Sequence, residues 1–305
     1  MIERAKQTII ERLGISRLAD SSDQTAAALD ALLARFEELT DRVNGLSAQI
    51  ERIEETRLTA LETAQRIAMN TSWAASAPLQ HQPKVSVVMA TRNRAQLLPT
   101  AIASVEAQTY PNWELVVIDD GSEDETAELL QNLASADGRV VLRRTDGVGA
   151  ATARNVGLEA ATGEWVAFLD DDNVMNPGWL RAIVEHTGRE PECIALFGAQ
   201  LREDVRGGDV VPWLLFDSKP ELERLRANNT IDLGVIAARR DHPELRFDDG
   251  LQQYIDWEMV VRVMEHTPLE PVPVLASTYT SSAPARITDL HDGESLAAMQ
   301  RRLGG

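Results

Sequence analysis

The sequence predicts an α/β protein, with a doubly wound, mostly parallel sheet preceded by an N-terminal α-helical coiled coil. Two observations lead to this fold class. From residue 84 onward, short apolar runs of strand type alternate with segments whose apolar residues recur at helical spacing, which is the pattern of successive βαβ units. Residues 1–72 contain no proline, and their apolar residues repeat in heptads from Leu29, which is typical of a coiled coil.

Length, charge and cysteine content exclude several classes of protein. The 305 residues are enough for one large domain and a helical extension. A net charge of −18 argues against a nucleic-acid-binding protein, because no excess of basic side chains exists to neutralise a phosphate backbone. The single cysteine, Cys193, excludes an internal disulfide and a cysteine-rich zinc site. The sequence has no transmembrane run and no signal-peptide core, so we expect a cytoplasmic protein; attachment to a membrane surface stays open.

The heptad series predicts that the chain forms a homo-oligomer. Apolar residues step by three and four from Leu29 to Ile67, and only Arg57 interrupts them. β-branched residues at position a with leucine at position d favour a parallel dimer, while Phe36 and Ile53 leave a trimer open. The alternative is a long amphipathic helix that folds back on its own domain.

Composition divides the chain into four regions. We predict a helical oligomerisation region over residues 1–72, in which residues 29–67 carry the contacts between copies. Residues 73–83 lose the heptads and contain two prolines, so they form a linker. The alternating strands and helices make one domain over residues 84–278, and a polar C-terminal tail, residues 279–305, follows.

Polar side chains cluster where the predicted strands end. Four apolar runs are predicted to be parallel strands: residues 84–90, 113–118, 140–142 and 165–169. Three of them are followed by polar or acidic residues: Thr91 and Arg92, Asp119 and Asp120, and Asp170, Asp171 and Asp172. In such sheets the carboxyl ends of the strands meet at one edge, where ligands bind. We therefore expect these side chains to line one site.

Three consecutive carboxylates at the end of a buried strand indicate a metal site. Burying Asp170, Asp171 and Asp172 without partners would be costly, because each is an uncompensated anion. Carboxylate oxygens suit Mg²⁺ or Mn²⁺, and these ions usually share their coordination with substrate phosphates. The alternative is a solvated acidic turn.

Four motifs in order over about 95 residues make the chain resemble the family 2 glycosyltransferases of GT-A fold. These motifs occupy residues 85–94, 114–122, 153–158 and 163–172. The resemblance covers roughly residues 84–283. It implies an inverting transfer of a sugar from a nucleotide-diphospho-sugar, most often UDP-linked, to a hydroxyl acceptor, with Mn²⁺ or Mg²⁺ as cofactor.

The resemblance also implies roles for individual residues at the strand ends. The nucleotide-binding positions correspond here to Ala90, Thr91, Arg92, Asp119 and Asp120. The ribose contact corresponds to Asp170 or Asp171, and the metal ligands to Asp172 and Asp170. Arg154 matches a cation near the nucleotide phosphates, although an ordinary surface arginine is the alternative.

The general base implied by the resemblance is Asp256, which opens a predicted helix. Many members have a glutamate before this aspartate, whereas Ile255 stands here. Glu258 is the second candidate for the base, and a helix cap is the alternative role for Asp256. Trp257 either stacks on a sugar or packs in the core.

Two residues of the C-terminal tail extend the resemblance. Some GT-A enzymes use a C-terminal histidine as a further metal ligand and a tail that closes as a lid, which makes His291 a candidate ligand; the alternative is a solvent-exposed loop histidine. Arg286 is a candidate contact of the diphosphate.

The acceptor stays open at this point: a glycan, a lipid-linked glycan, a protein or a small molecule. The Gln-x-x-Arg-Trp motif of processive relatives is absent from the sequence, which favours transfer of one or a few sugars. One alternative function is a non-enzymatic coiled-coil scaffold with a nucleotide-binding module. Another is a sugar nucleotidyltransferase, although the sequence has no Gly-rich basic loop near the first strand.

Overall fold

The computed structural model describes residues 81–206, 209–216, 218–280 and 293–304, together with residues 67–71, 79 and a few positions between 34 and 45. The chain divides into two compact units, residues 1–63 and 64–305. The few described positions of the first unit are helical and exposed. The heptad contacts lie almost entirely outside the described residues, so the coiled coil and its oligomer stay predictions.

The first half of the sheet is parallel, as the alternation of strands and helices predicts. Four strands lie in the order β3-β2-β1-β4. They are β1 (Val85–Thr91), β2 (Trp113–Asp120), β3 (Val140–Thr145) and β4 (Trp165–Phe168). Helices α1 (Leu98–Glu106), α2 (Thr126–Ala136) and α3 (Ala150–Ala160) connect them. Both faces of β2 are buried, which explains its continuous apolar run.

The second half of the sheet is mixed. Its strands are β5 (Asn173–Met175), β6 (Ala195–Arg206), β7 (Asp209–Leu215), β8 (Ile236–Arg239) and β9 (Leu269–Thr280). The order continues β4-β8-β6-β9-β5, with β7 forming a hairpin on β6. Strand β8 is antiparallel to both β4 and β6, whereas β6 and β9 are parallel to each other. Therefore β6 and β9 end at the same edge as β4.

Among the described residues, four helices accompany the second half of the sheet. They are α4 (Trp179–Arg189), α5 (Leu222–Ala227), α6 (Ile255–His266) and α7 (Gly293–Gly304). A 3₁₀ turn at Leu233–Val235 precedes β8, so this strand begins only at Ile236. Within the described part of the chain, no helix has the length and apolar character needed to span a membrane.

Segments on both sides of the predicted domain pack against it, although the sequence assigns them to other regions. Ile67 is 4% exposed, and Thr71 Oγ1 accepts a hydrogen bond from the Leu275 amide at 2.9 Å. Residues 67–71 therefore belong with the α/β unit. At the other end, Met299 and Leu303 of α7 are buried, so part of the polar tail is an amphipathic helix packed on the domain.

A buried carboxylate joins three strands at their amino ends. Glu114 at the start of β2 accepts hydrogen bonds from Ser86 Oγ at 2.5 Å, from the Thr162 amide at 2.6 Å and from Lys84 Nζ at 3.1 Å. Burial alone would raise the pKa of Glu114, but the hydrogen bonds from Ser86, Thr162 and Lys84 outweigh burial and lower it to about 2. This network holds β1, β2 and the turn before β4 together.

Candidate active site

A cavity of about 680 Å³ opens at the carboxyl ends of β1, β2 and β4. Most of the residues that the sequence singles out line it: Ala90, Thr91, Arg92, Asp120, Arg154, Asp170, Asp171, Asp172 and Asp256. The parallel half of the sheet explains this convergence, because its loops all leave from one edge. Helix α6 supplies Asp256 from the second half of the domain.

The acidic turn after β4 is held by the end of β1 and the loop that follows it. Thr91 Oγ1 donates a hydrogen bond to Asp171 Oδ2 at 2.6 Å, and Arg94 Nε lies 3.8 Å from Asp171 Oδ1. Burial, with repulsion from Asp172 and Asp170, raises the pKa of Asp171 to about 6 in spite of the hydrogen bond from Thr91. The three carboxylates thus form a strongly anionic corner.

Helix α3 carries a cation into this corner. Arg154 Nη2 donates to Asp170 Oδ1 at 2.7 Å, and the guanidinium lies 5.5 Å from the centre of the Phe247 ring. The helix packs unusually close to the sheet, since a Cβ on Gly157 would lie 2.5 Å from Ile118 Cδ1 and 2.6 Å from Val88 Cγ1. Close packing of α3 on β1 and β2 therefore fixes the position of Arg154.

The residue after Arg154 links the two halves of the domain. Asn155 Nδ2 donates to the Phe247 carbonyl at 2.8 Å, and the Phe247 amide donates to Asn155 Oδ1 at 2.9 Å. Asn155 is buried. Helix α3 thereby positions the segment that leads to α6 and Asp256.

Asp120 organises the loop in front of α3. Its Oδ1 accepts from Thr145 Oγ1 at 2.6 Å and from the Val148 amide at 2.7 Å, and its Oδ2 accepts from the Gly149 amide at 2.9 Å. Burial would raise the pKa of Asp120, but these hydrogen bonds and the charge of Arg92 lower it. Asp120 therefore stays ionised at the cavity wall.

Asp119 is the one described strand-end candidate that the structure keeps apart from the cavity. Its side chain is buried and accepts from Arg144 Nη1 at 2.5 Å and from the Ser122 amide at 2.9 Å. Successive side chains of a strand point to opposite faces, so only one of the two aspartates can face the cavity. In this structure Asp119 stabilises the turn after β2.

Asp256 lies in the first turn of α6 and lines the cavity. Burial raises the pKa of its carboxyl group, and the charge of Arg154 opposes that rise.

The second candidate base, Glu258, is buried against Arg262, with 3.0 Å between Glu258 Oε1 and Arg262 Nε. Trp257 borders the cavity but is 1% exposed, and its indole donates to the Leu225 carbonyl at 2.6 Å. Trp257 is therefore a packing side chain.

Sequence reasoning missed a group from the second half of the sheet. Arg202 Nη2 lies 3.2 Å from Asp232 Oδ2, and the Arg202 guanidinium lies 4.7 Å from the centre of the Tyr279 ring. All three residues line the cavity. Burial and the charge of Asp170 raise the pKa of Asp232, while Arg202 opposes the rise. Only the strand order brings these residues together, and no local motif marks that order.

The oxygen donors at the acidic corner fit a hard divalent cation. Asp170 and Asp172 belong to one short turn and line the same cavity, and carboxylate oxygens are the ligands that Mg²⁺ and Mn²⁺ prefer. His291 and Arg286 lie outside the described residues, so their predicted roles stay predictions.

The fold and the family follow from comparison with known proteins. The sheet and helices match those of GT-A glycosyltransferases. S. aureus TarS residues 1–349, solved with UDP-GlcNAc, superposes with a TM-score of 0.59 at 20% identity, over 72% of this chain and 65% of that one. The profile of "Glycosyl transferase family 2" matches residues 86–242, which is more than half of the chain. The chain belongs to this family.

Similar sequences come from bacterial glycosyltransferases. A GalNAc(5)-diNAcBac-PP-undecaprenol beta-1,3-glucosyltransferase of Campylobacter jejuni is 39% identical over 105 residues, which is 34% of this chain and 34% of that protein. A putative glycosyltransferase of Bacillus subtilis, EpsH, is 30% identical over 112 residues, 37% of this chain and 33% of that protein. The similarity thus spans about a third of each relative.

Proposed function

We propose that the protein is a non-processive, inverting glycosyltransferase that moves one or a few sugars from a UDP-sugar to an acceptor hydroxyl, with Mn²⁺ or Mg²⁺ at Asp170 and Asp172. The supporting observation is the convergence of three kinds of group on one cavity: the acids of the turn after β4, a set of arginines, and Asp256. In transfer from a nucleotide-diphospho-sugar, acids that hold a cation and arginines would bind the diphosphate, and a carboxylate would deprotonate the acceptor. Membership of the family supports the same reaction class.

The charges of the cavity suit a diphosphate. Arginines 92, 94, 154 and 202 line it, and guanidinium groups bind phosphate oxygens through paired hydrogen bonds. A divalent cation at Asp170 and Asp172 would neutralise charge that develops on the departing diphosphate. Asp120 lines the same cavity, and the charge of Arg92 helps to keep it ionised. Its carboxylate could accept a hydrogen bond from an N–H group of the nucleobase.

Asp256 is the proposed general base. The acceptor hydroxyl attacks the anomeric carbon, the bond between that carbon and the diphosphate oxygen breaks, and the nucleoside diphosphate leaves. The hydroxyl proton passes to Asp256. A single displacement from the face opposite the leaving group inverts the configuration at the anomeric carbon.

UDP is the proposed nucleotide because TarS, the neighbour of higher TM-score, was solved with UDP-GlcNAc. A mannosyltransferase of Pyrobaculum calidifontis, with a TM-score of 0.50 at 19% identity over 76% of this chain and 68% of that one, was solved with GDP-Man and Mn²⁺. A thermal-shift screen of UDP- and GDP-sugars, each with Mn²⁺ or Mg²⁺, separates these nucleotides. A ligand at 100 times its Kd should stabilise the protein by about 2.7 kcal/mol.

The decisive variant is Asp256→Asn. We expect it to reduce transfer by about 10²–10⁴-fold while the Kd for UDP stays near the wild-type value. Asp249→Asn, at an exposed position outside the cavity lining, is the matched control. Loss of UDP binding in Asp256→Asn would contradict the base assignment.

The same assays test the alternative functions. A wild-type protein that binds nucleotide in the presence of Mn²⁺ but turns over no nucleotide-sugar would support the scaffold. Release of pyrophosphate instead of a nucleoside diphosphate would support the nucleotidyltransferase.

A further inference from the structure

The wall of the cavity next to Asp256 differs in chemistry from the wall at the strand ends. Among described lining side chains, residues 227–229 and 252–254 supply amides, an alanine methyl group and the Tyr254 phenol, and none of them carries a charge at neutral pH. The strand-end wall carries arginines and aspartates. Amide groups both donate and accept hydrogen bonds, so this second wall suits a neutral ligand rich in hydroxyl groups.

Tyr254 has the most unusual backbone on this wall. Its φ of 57° and ψ of 23° lie in the left-handed region, which is unfavourable for a residue with a bulky side chain and which clusters at functional sites. The Tyr254 carbonyl accepts the first hydrogen bond of α6 from the Glu258 amide at 3.0 Å. The conformation therefore opens the helix and fixes where the ring lies.

The ring of Tyr254 is held in place by a rigid neighbour. It meets the Trp257 ring edge-on, with 5.8 Å between centroids and an interplanar angle of 77°. Trp257 is anchored through its indole N–H to the Leu225 carbonyl. An aromatic ring is thus fixed on the cavity wall two residues before the proposed base.

We propose that Tyr254 is the platform of a saccharide acceptor subsite, an inference that rests on the proposed function. The apolar C–H face of a pyranose would cover the ring, because aromatic rings bury such surfaces well. Amides of Asn229, Gln252 and Gln253 would bind the sugar hydroxyls. Asn229 and Gln252 are exposed at the cavity wall, where their amides can reach a ligand.

The same wall argues against two other acceptor classes. The six lining residues at positions 227–229 and 252–254 carry no charge, so they offer a lipid phosphate no cation of their own. An extended peptide would require an open edge strand or a row of side-chain pockets. A neutral sugar needs only the ring and the amides, and its free hydroxyl would face Asp256.

The test uses the full chain with UDP and Mg²⁺ and compares Tyr254→Phe with Tyr254→Asn. Asparagine tolerates the left-handed backbone, so this change removes the ring without adding strain, whereas phenylalanine keeps the ring. The probes are the methyl glycosides of glucose, galactose, mannose and N-acetylglucosamine, observed by saturation-transfer NMR. The Kd for UDP and the thermal midpoint of each variant report on donor binding and folding.

We expect saturation transfer from the wild type and from Tyr254→Phe to the ring protons of at least one glycoside. Tyr254→Asn should weaken binding of that glycoside by at least about tenfold. In a transfer assay with the nucleotide-sugar that the thermal-shift screen selects, it should raise the KM for the glycoside more than it lowers kcat. The inference is overturned if the wild type binds UDP but no glycoside, if Tyr254→Asn binds glycosides normally, or if farnesyl phosphate or a serine peptide is the acceptor instead. A wild type that binds no nucleotide would overturn the proposed function itself.

Discussion

The Glu114 network gives a quantitative prediction about stability. The side chain of Glu114 is 5% exposed, and its pKa falls from 4.5 to about 2. This fall corresponds to about 3 kcal/mol of differential stabilisation of the folded state. We expect Glu114→Gln to lose most of this stabilisation. The glutamine NH₂ group cannot accept a hydrogen bond, and it would face the donors of Thr162 or Lys84.

The contribution of Glu114 to the free energy of unfolding should decrease as the pH falls. The folded-state pKa of Glu114 lies below its unfolded value, so its contribution is complete above about pH 4.5 and declines as the pH falls toward 2. The stability difference between wild type and Glu114→Gln should therefore be largest at neutral pH. By pH 3 it should have shrunk by about 2 kcal/mol.

Urea unfolding at a series of pH values from 7 to 3 measures this difference. Glu192→Gln, at an exposed position, is the control and should follow the wild type. A Glu114→Gln variant as stable as the wild type at pH 7 would refute the reasoning. So would a stability difference that stays constant between pH 7 and pH 3, because the carboxylate would then contribute nothing through its ionisation.

Two further predictions concern packing and assembly. Gly157→Ala should destabilise the protein by about 1–3 kcal/mol, because the added methyl group would overlap Ile118 and Val88; thermal unfolding should show no comparable loss for Gly138→Ala, where a Cβ meets nothing within 4 Å. In the full chain, the double variant Leu32→Asp and Leu39→Asp should lower the mass measured by light scattering, because both residues occupy heptad position d. Ala34→Asp, at an exposed helical position, should keep the wild-type mass, and a double variant of unchanged mass would mean that the heptads do not join copies.

The sequence predicts the parallel half of the site well because its signals are local. Each predicted strand is a continuous apolar run, and the polar or acidic residues at the ends of three of them follow directly along the chain. The sequence does not show which of Asp119 and Asp120 faces the cavity. A strand buried on both faces has no alternation of apolar and polar residues, so the two aspartates look equivalent. In the structure, Asp120 lines the cavity and Asp119 pairs with Arg144.

The second half of the site could not be predicted in the same way. Arg202 and Asp232 meet because β6 lies next to β8 in the sheet, and strand order across long connections has no local signature. Tyr254 is equally hard to predict, since a left-handed tyrosine is exceptional and arises from the contacts of the folded chain. Ile67 fits both a heptad and a buried helix, because both need an apolar residue at that position.

The hydrogen bonds between Asn155 and Phe247 restrict how this protein could be re-engineered. Asn155 binds the backbone of Phe247 and not its side chain. These hydrogen bonds therefore do not depend on which side chain stands at position 247. Substitutions between Phe247 and Asp256 would leave this anchor intact. An insertion or deletion there would change the length of the connection between this anchor and the first turn of α6, so loop grafts meant to change acceptor choice should preserve the spacing of nine residues from Phe247 to Asp256.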